Sequence, residues 1–137
     1  MGMGKKQRNA AALLGLLLVG STVPAYAADP SPTLIFFDSG KPVLTRDATE
    51  IVAIAFREAA PSARWLLIGH ADRSGSSAAN RRVALARATA TRDYLVQLGA
   101  DPASVTVGAS GEDAPLIATA DGVWEAQNRR VELRSSQ

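Results

Sequence analysis

The stretch Gly69-His70-Ala71-Asp72-Arg73-Ser74-Gly75 joins an apolar segment to a long helical pattern. Before it, Arg64 to Gly69 is too short and too apolar for an exposed helix, which favours a central strand. After it, Ala78 to Leu98 has apolar residues at helical spacing. The glycines and serines between the two segments are typical of a loop. The stretch therefore predicts a strand, a turn that carries Asp72, and a helix.

The predicted helix carries an arginine within its apolar arc. Arg87 lies four residues after Val83 and seven before Tyr94, and Asn80 falls on the same line seven residues earlier. Burying an unpaired charge is costly, so Arg87 needs a carboxylate, a set of carbonyls or a ligand. The alternatives are that it snorkels from the edge of the arc or forms a structural ion pair. Spacing alone does not bring Asp72 to Arg87, which lies roughly 13 Å along the helix.

The segments on either side predict the remaining elements. Thr33 to Phe37 is a β-branched and aromatic run bounded by Pro32 and a turn, and indicates a strand. Thr45 to Ala60 indicates a helix with Thr45 or Asp47 as its N-cap, and with Ile51, Ile54, Ala55 and Glu58 at helical spacing. Val105 to Gly108 and Arg129 to Leu133 complete the pattern as strands. A strand, helix and strand with short connections predict a crossover unit.

The N-terminal 27 residues have the features of a secretory signal. Lys5, Lys6 and Arg8 precede an apolar stretch from Ala10 to Val19, and Ala25-Tyr26-Ala27 fits a cleavage site. Cleavage there would leave a lead-in at 28–32 and one domain at 33–137. The alternative is a retained membrane anchor, since residues 10–28 are uncharged and approach the ~20 residues that span a bilayer.

Charge and cysteine content exclude some classes of function. The predicted signal holds three of the fifteen Lys and Arg residues and none of the thirteen acids, so twelve bases and thirteen acids remain. A domain so close to neutral lacks the basic surface that nucleic acid requires. The chain has no cysteine. We therefore expect no disulfide and no lipid attached through a cysteine.

Several separated motifs occur together and in a fixed order. They are Phe37-Asp38-Ser39, Gly69-His70-Ala71-Asp72, Asn80 with Arg87-Ala88, Gly111-Glu112-Asp113-Ala114-Pro115 and Asn128-Arg129-Arg130. In these motifs the chain resembles the OmpA-like peptidoglycan-binding domain, found at the C-terminus of OmpA and in Pal-type and MotB-type proteins. The resemblance covers Thr33 to Leu133. It implies an α/β fold (an α+β sandwich) of order βαβαβ(α)β, with a mixed four-stranded sheet and helices mainly on one face.

The resemblance also implies a function and a site. Diaminopimelate in the stem peptide presents a carboxylate and an ammonium on one carbon, and in the family an Asp and an Arg hold these two charges. At the matching positions stand Asp72 and Arg87, which imply non-covalent peptidoglycan binding in the periplasm, without catalysis or cofactor. The further binding residues implied are Asn80, Ser74, Ser39 and Arg129. Relatives often have Asn or another polar residue where this chain has Gly40, so one side-chain contact is expected to be missing or replaced by backbone.

The sequence raises three other interpretations. His70 is the only histidine, and no Gly-x-Ser-x-Gly motif accompanies it, so a hydrolytic triad is not indicated. With no second histidine and no cysteine, a zinc site is not indicated either. A protein-docking module of an envelope complex, with wall binding secondary or lost, stays open as the alternative function. Contact with a membrane is expected only if the N-terminal segment is retained.

Overall fold

Four strands and two long helices make up residues 31–136, the part of the chain that this computed structural model describes. The predicted signal peptide and the first residues of the lead-in lie outside the described residues. The elements are β1 (Thr33–Phe36), α1 (Arg46–Glu58), β2 (Trp65–His70), α2 (Ser77–Leu98), β3 (Val105–Gly111) and β4 (Arg130–Ser135). Single 3-10 turns at Pro102–Ser104 and Ala126–Asn128 precede β3 and β4. No helix among residues 31–136 is long and apolar enough to cross a membrane.

The sheet is mixed, with strand order β1-β4-β2-β3. β2 and β3 are parallel and are connected through α2, whereas β4 is antiparallel to both β1 and β2. β4 therefore lies between β1 and β2, so the predicted crossover unit around α1 is split by the last strand. Alternation along the strands is clear in β4, where Val131 and Leu133 are buried and Glu132 and Arg134 are partly exposed. The helices thus cover mainly one face, as predicted.

Thr45 is the N-cap of α1, and its hydroxyl accepts a hydrogen bond from the amide of Ala48 at 3.1 Å. The buried residues of this helix are Ala48 and Val52. Ile51 and Ile54, which the sequence places at helical spacing, are 37% and 38% exposed. The smaller side chains let α1 lie close to β1, and the isoleucines flank the contact.

α2 lies directly against β2, and Gly69 explains how. A Cβ at Gly69 would stand 1.9 Å from the carbonyl oxygen of Ala84, so only glycine permits this approach. Because Gly69 meets Ala84, the eighth residue of α2, the end of β2 lies alongside the helix and not at its start. The buried line of α2 includes Arg87 and runs through Asn80, Ala84, Arg87, Ala88, Thr91 and Leu95.

The apolar core fills the space between the helices and the covered face of the sheet. Fully buried side chains come from both layers, with the rings of Phe56 and Trp65 stacked at 6.3 Å between centroids at one end. The other end carries the buried charges. The core members with no more than 2% exposure are Ile35, Val52, Leu67, Ala84, Ala88, Leu95, Val131 and Leu133.

Candidate ligand-binding site

Arg87 is the largest fully buried side chain among the described residues, with 2% of its surface exposed. Its partners are main-chain carbonyls. Nη1 donates to His70 O at 3.2 Å, Nη2 to Asp38 O at 3.1 Å and Nε to Lys41 O at 3.4 Å. The guanidinium also lies over the Phe37 ring, 5.6 Å from its centroid. Of the possible partners of Arg87, a set of carbonyls is the one observed.

Burial makes the charged form of Arg87 less favourable than it is in water. The pKa of Arg87 is lowered to about 10, mainly by burial and also by the positive charge of Arg129, while the negative charge of Asp72 opposes both effects. Arg87 therefore stays charged at neutral pH. A guanidinium has five N–H donors. Three are used by carbonyls within residues 31–136, so one donor remains on each terminal nitrogen.

Asp72 follows the end of β2 and is 4% exposed. One carboxylate oxygen accepts from the Ser74 hydroxyl at 2.5 Å and from the Ser74 amide at 3.3 Å. The other accepts from the Glu125 amide at 3.2 Å and from Arg129 Nη1 at 3.2 Å. Burial alone would raise the pKa of Asp72, but the hydrogen bonds from Ser74, Glu125 and Arg129 outweigh it and lower the pKa. The carboxylate is therefore ionised.

Asp72 and Arg87 share one site without bonding to each other. The partner of Asp72 is Arg129, whose Nε also donates to Phe37 O at 3.2 Å. Phe37 thus contacts Arg129 with its carbonyl and Arg87 with its ring. The ends of β1 and β2, the middle of α2 and the approach to β4 meet here, and they bring together one negative and two positive charges.

The remaining predicted site residues differ in how closely they are connected to Asp72 and Arg87. Ser74 bonds directly to Asp72. Ser39 is exposed and lies next to Asp38, whose carbonyl binds Arg87. Asn80 instead holds the loop together, because its amide donates to Gly75 O at 3.1 Å and to Glu112 Oε2 at 2.7 Å.

The conformation of the turn at 38–41 explains why this chain can have Gly40 where similar proteins often have Asn. Lys41 N donates to Asp38 O at 3.3 Å, and Gly40 sits between them at φ +66°. This left-handed conformation is open to glycine and, among other residues, most readily to asparagine. The turn therefore accepts either residue for the same backbone reason. Two of its carbonyls, those of Asp38 and Lys41, hold Arg87.

An open cleft adjoins the site on the side of α1. It has a volume of about 520 Å³, and Asp38 and Arg129 belong to its wall. Its apolar lining includes Phe36, 42% exposed, and Ile51, 37% exposed. A ligand held at the charged centre could therefore extend into a partly apolar groove.

A second polar cluster, on His70, was not anticipated. Arg130 is 3% exposed and donates to Glu132 Oε1 at 2.6 Å and to Ala114 O at 3.2 Å. His70 Nε2 lies 3.4 Å from the same Glu132 oxygen. Burial lowers the pKa of His70, and the charge of Arg130 lowers it further against the opposing charge of Glu132, so the ring is neutral at neutral pH. These contacts suit a structural histidine.

Sequence reasoning did not identify which carbonyls hold Arg87, and it missed the Glu125 amide on Asp72 and the structural role of Asn128. Asn128 is fully buried, and its side-chain amide bonds to both the amide and the carbonyl of Ile117. Main-chain donors and acceptors leave no residue signature, since every residue carries them. The sequence marks Asn128 only as part of the Asn128-Arg129-Arg130 motif, which does not predict this pair of hydrogen bonds.

Comparison with known proteins agrees with this architecture. The family model described as the OmpA family matches residues 36–129. A peptidoglycan-associated lipoprotein of Mesorhizobium japonicum is 33% identical over 93% of this chain and 79% of its own length. An outer membrane protein of Gluconacetobacter diazotrophicus is 31% identical over 78% of this chain and 31% of its own length.

Solved structures show the same fold. The peptidoglycan-associated lipoprotein of Burkholderia pseudomallei superposes with a TM-score of 0.67 at 24% identity, covering 81% of this chain and 93% of that one. The C-terminal domain of Helicobacter pylori MotB gives 0.63 at 18% identity, covering 76% and 84%. Since the family model matches more than half of the sequence, the chain belongs to the OmpA family.

Proposed function

We propose that this protein binds peptidoglycan without cleaving it, through the diaminopimelate of the stem peptide. The observation that carries the proposal is the charged centre itself, where an ionised Asp72 and a buried, charged Arg87 stand in one site. The OmpA family is not a family of enzymes, and relatives are named peptidoglycan-associated lipoproteins. A binding role in the cell envelope follows.

The unused donors of Arg87 suit a carboxylate. One N–H remains on each terminal nitrogen once the carbonyl bonds are counted, and such a pair can form the parallel, bidentate contact that arginine makes with carboxylates. The exposed turn at 38–41 covers the guanidinium. The ligand would enter by displacing part of this turn, where Gly40 permits a change of backbone conformation.

Asp72 supplies the opposite charge. Arg129 occupies one of its oxygens at 3.2 Å, and the side chain of Arg129 is 16% exposed. The ammonium of diaminopimelate would take over this position, because it carries the same charge and donates in the same way. Arg129 would then turn toward the cleft, where a second carboxylate of the peptide could meet it. Ser74 would keep Asp72 oriented throughout.

The proposal is tested by sedimentation with purified diaminopimelate-type sacculi. The protein expressed from its full sequence is compared with Asp72→Ala, Asp72→Asn, Arg87→Ala and Arg87→Lys variants, each checked for folding by circular dichroism. We expect each variant to bind sacculi at least tenfold more weakly than the wild type. In each case one charge of the zwitterion loses its partner, or the bidentate contact of the arginine is lost. Arg57→Lys and Asp93→Asn, both exposed on helices, are the matched controls. Equal sedimentation of folded site variants and wild type would refute the proposal.

A single zwitterion site implies modest affinity. Micromolar to millimolar binding corresponds to about −4 to −8 kcal/mol. Many stem peptides along one polymer raise the effective affinity through avidity. Binding to sacculi should therefore be stronger than binding to a soluble fragment.

The cleft supports a second candidate, docking of another envelope protein. Exposed Phe36 and Ile51 in its lining are the kind of apolar contacts that protein interfaces use. Under this alternative Phe36→Ser would abolish capture of the partner, and Arg87→Lys would leave it intact. The sacculus assay separates the two, since docking alone predicts no sedimentation.

We also propose export to the periplasm, on the strength of the signal-like residues 1–27. Mass spectrometry of the purified protein gives its first residue. Ala28 as that residue would establish a soluble periplasmic form. An intact N-terminus in the membrane fraction would instead make the protein a tether between membrane and wall.

A further inference from the structure

The loop between β3 and β4 presents an exposed indole. Trp124 is 65% exposed, and its neighbour Val123 is 41% exposed. Among residues 31–136, the Trp124 side chain makes no hydrogen bond, ion pair or ring contact. Tryptophan is highly buried on average, so an indole left in water beside a binding site needs an explanation.

The position of Trp124 is fixed relative to Asp72. On one side of Trp124 the Glu125 amide donates to the Asp72 carboxylate at 3.2 Å. On the other side Gly122 N donates to Arg73 O at 2.6 Å, and Arg73 Nη1 bonds to Asp121 Oδ1 at 2.5 Å. Val123 and Trp124 therefore lie between residues that make three hydrogen bonds to Asp72 and Arg73. Such preorganisation lowers the entropy lost on binding.

We propose that Trp124 packs against a sugar ring of the glycan strand while the stem peptide occupies the charged centre. This inference rests on the proposed function. A pyranose presents a flat face of C–H groups edged by hydroxyls, and an indole presents a flat apolar face with one N–H donor. Asp121, Glu125 and Gln127 lie beside it in sequence and can accept or donate at the hydroxyls.

Distances and surroundings favour a sugar over an apolar protein partner. Three peptide residues span up to roughly 10 Å, so a stem peptide held at Asp72 leaves its sugar near the site. Trp124 adjoins Glu125, whose Cα is about 3.8 Å away. Along the chain the exposed pair Val123 and Trp124 is flanked by the acidic residues Asp121 and Glu125, whereas the centre of a protein interface is depleted in charged residues.

Calorimetry with two soluble ligands tests the inference. One is the free stem tripeptide ending in diaminopimelate, and the other is the same tripeptide on its disaccharide. The wild-type protein should bind the disaccharide form more tightly. Trp124→Ala should weaken that form by about three- to tenfold, the range of an aromatic packing contact, and leave the tripeptide unchanged. Trp124→Tyr should keep most of the difference, and Ile54→Ala, another exposed apolar site, should change neither.

The possible results separate the two proposals. Equal affinity of the wild type for the two ligands, or an unchanged disaccharide affinity in Trp124→Ala, overturns the sugar contact and leaves the peptide site standing. An equal loss for both ligands in Trp124→Ala also overturns it, because the indole would then act on the peptide. If the wild type binds neither ligand, the proposed function fails and the inference with it. Removal of so exposed a side chain should leave the fold intact.

Discussion

Replacing Gly69 by alanine should separate α2 from β2 and so disturb the site from within the fold. The added Cβ would lie 1.9 Å from Ala84 O and 2.6 Å from Ala84 C, both main-chain atoms that cannot rotate away. Ordinary contact begins near 3.4 Å, so the helix would have to retreat by about 1.5 Å. Overpacking of this kind costs about 1–3 kcal/mol, and more where backbone must move. We expect a loss near the upper end, about 3 kcal/mol.

The assay for Gly69→Ala is urea unfolding followed by circular dichroism, with a thermal scan beside it. For a domain of this size a loss of about 3 kcal/mol lowers the melting temperature by more than roughly 10 °C. Gly108→Ala is the matched control, because its Cβ would meet only the mobile end of Ile68, at 3.0 Å. Sedimentation with sacculi should fall as well, since displacement of α2 carries Arg87 away from the His70 carbonyl. A Gly69→Ala protein as stable as Gly108→Ala would refute the reasoning.

Two further predictions concern buried polar groups. Asn128→Ala should cost about 2–4 kcal/mol in urea unfolding, because the amide and carbonyl of Ile117 lose their partner. Asn128→Asp should cost at least as much, because it buries a charge and turns a carboxylate oxygen toward the Ile117 carbonyl. A cost under about 0.5 kcal/mol for Asn128→Ala, typical of surface changes, would contradict this. The second prediction concerns pH: the free energy of unfolding should be constant just above pH 6.5 and should decrease as the pH falls below 6.5. The pKa of His70 is lowered by burial, so the unfolded chain takes up a proton that the folded chain does not. Asp72, whose folded pKa is also lowered, adds a second loss below its ordinary value of 3.8. His70→Gln should remove the first loss, and a stability profile unchanged by this variant would assign the slope to other groups.

Much of the secondary structure followed from local sequence. The strand, turn and helix around Gly69 to Gly75, and the N-cap at Thr45, depend on periodicity and on side chains that bond to nearby amides, and both are readable from a few adjacent residues. The burial of individual side chains was harder to predict from the sequence. Arg130 lies buried against Glu132 and the Ala114 carbonyl, contacts that depend on a loop sixteen residues earlier in the chain.

The sequence by itself determined the family, the order of the elements and the presence of a charge inside the apolar arc of α2. Motif order and hydrophobic periodicity can be read from the sequence without knowledge of the three-dimensional structure. Only the tertiary structure decided the partners. It placed β4 between β1 and β2, joined Asp72 to Arg129, and enclosed Arg87 in three carbonyls, two from the turn at 38–41 and one from the end of β2. Such contacts join residues far apart in sequence through main-chain atoms common to all residues, so no local pattern encodes them.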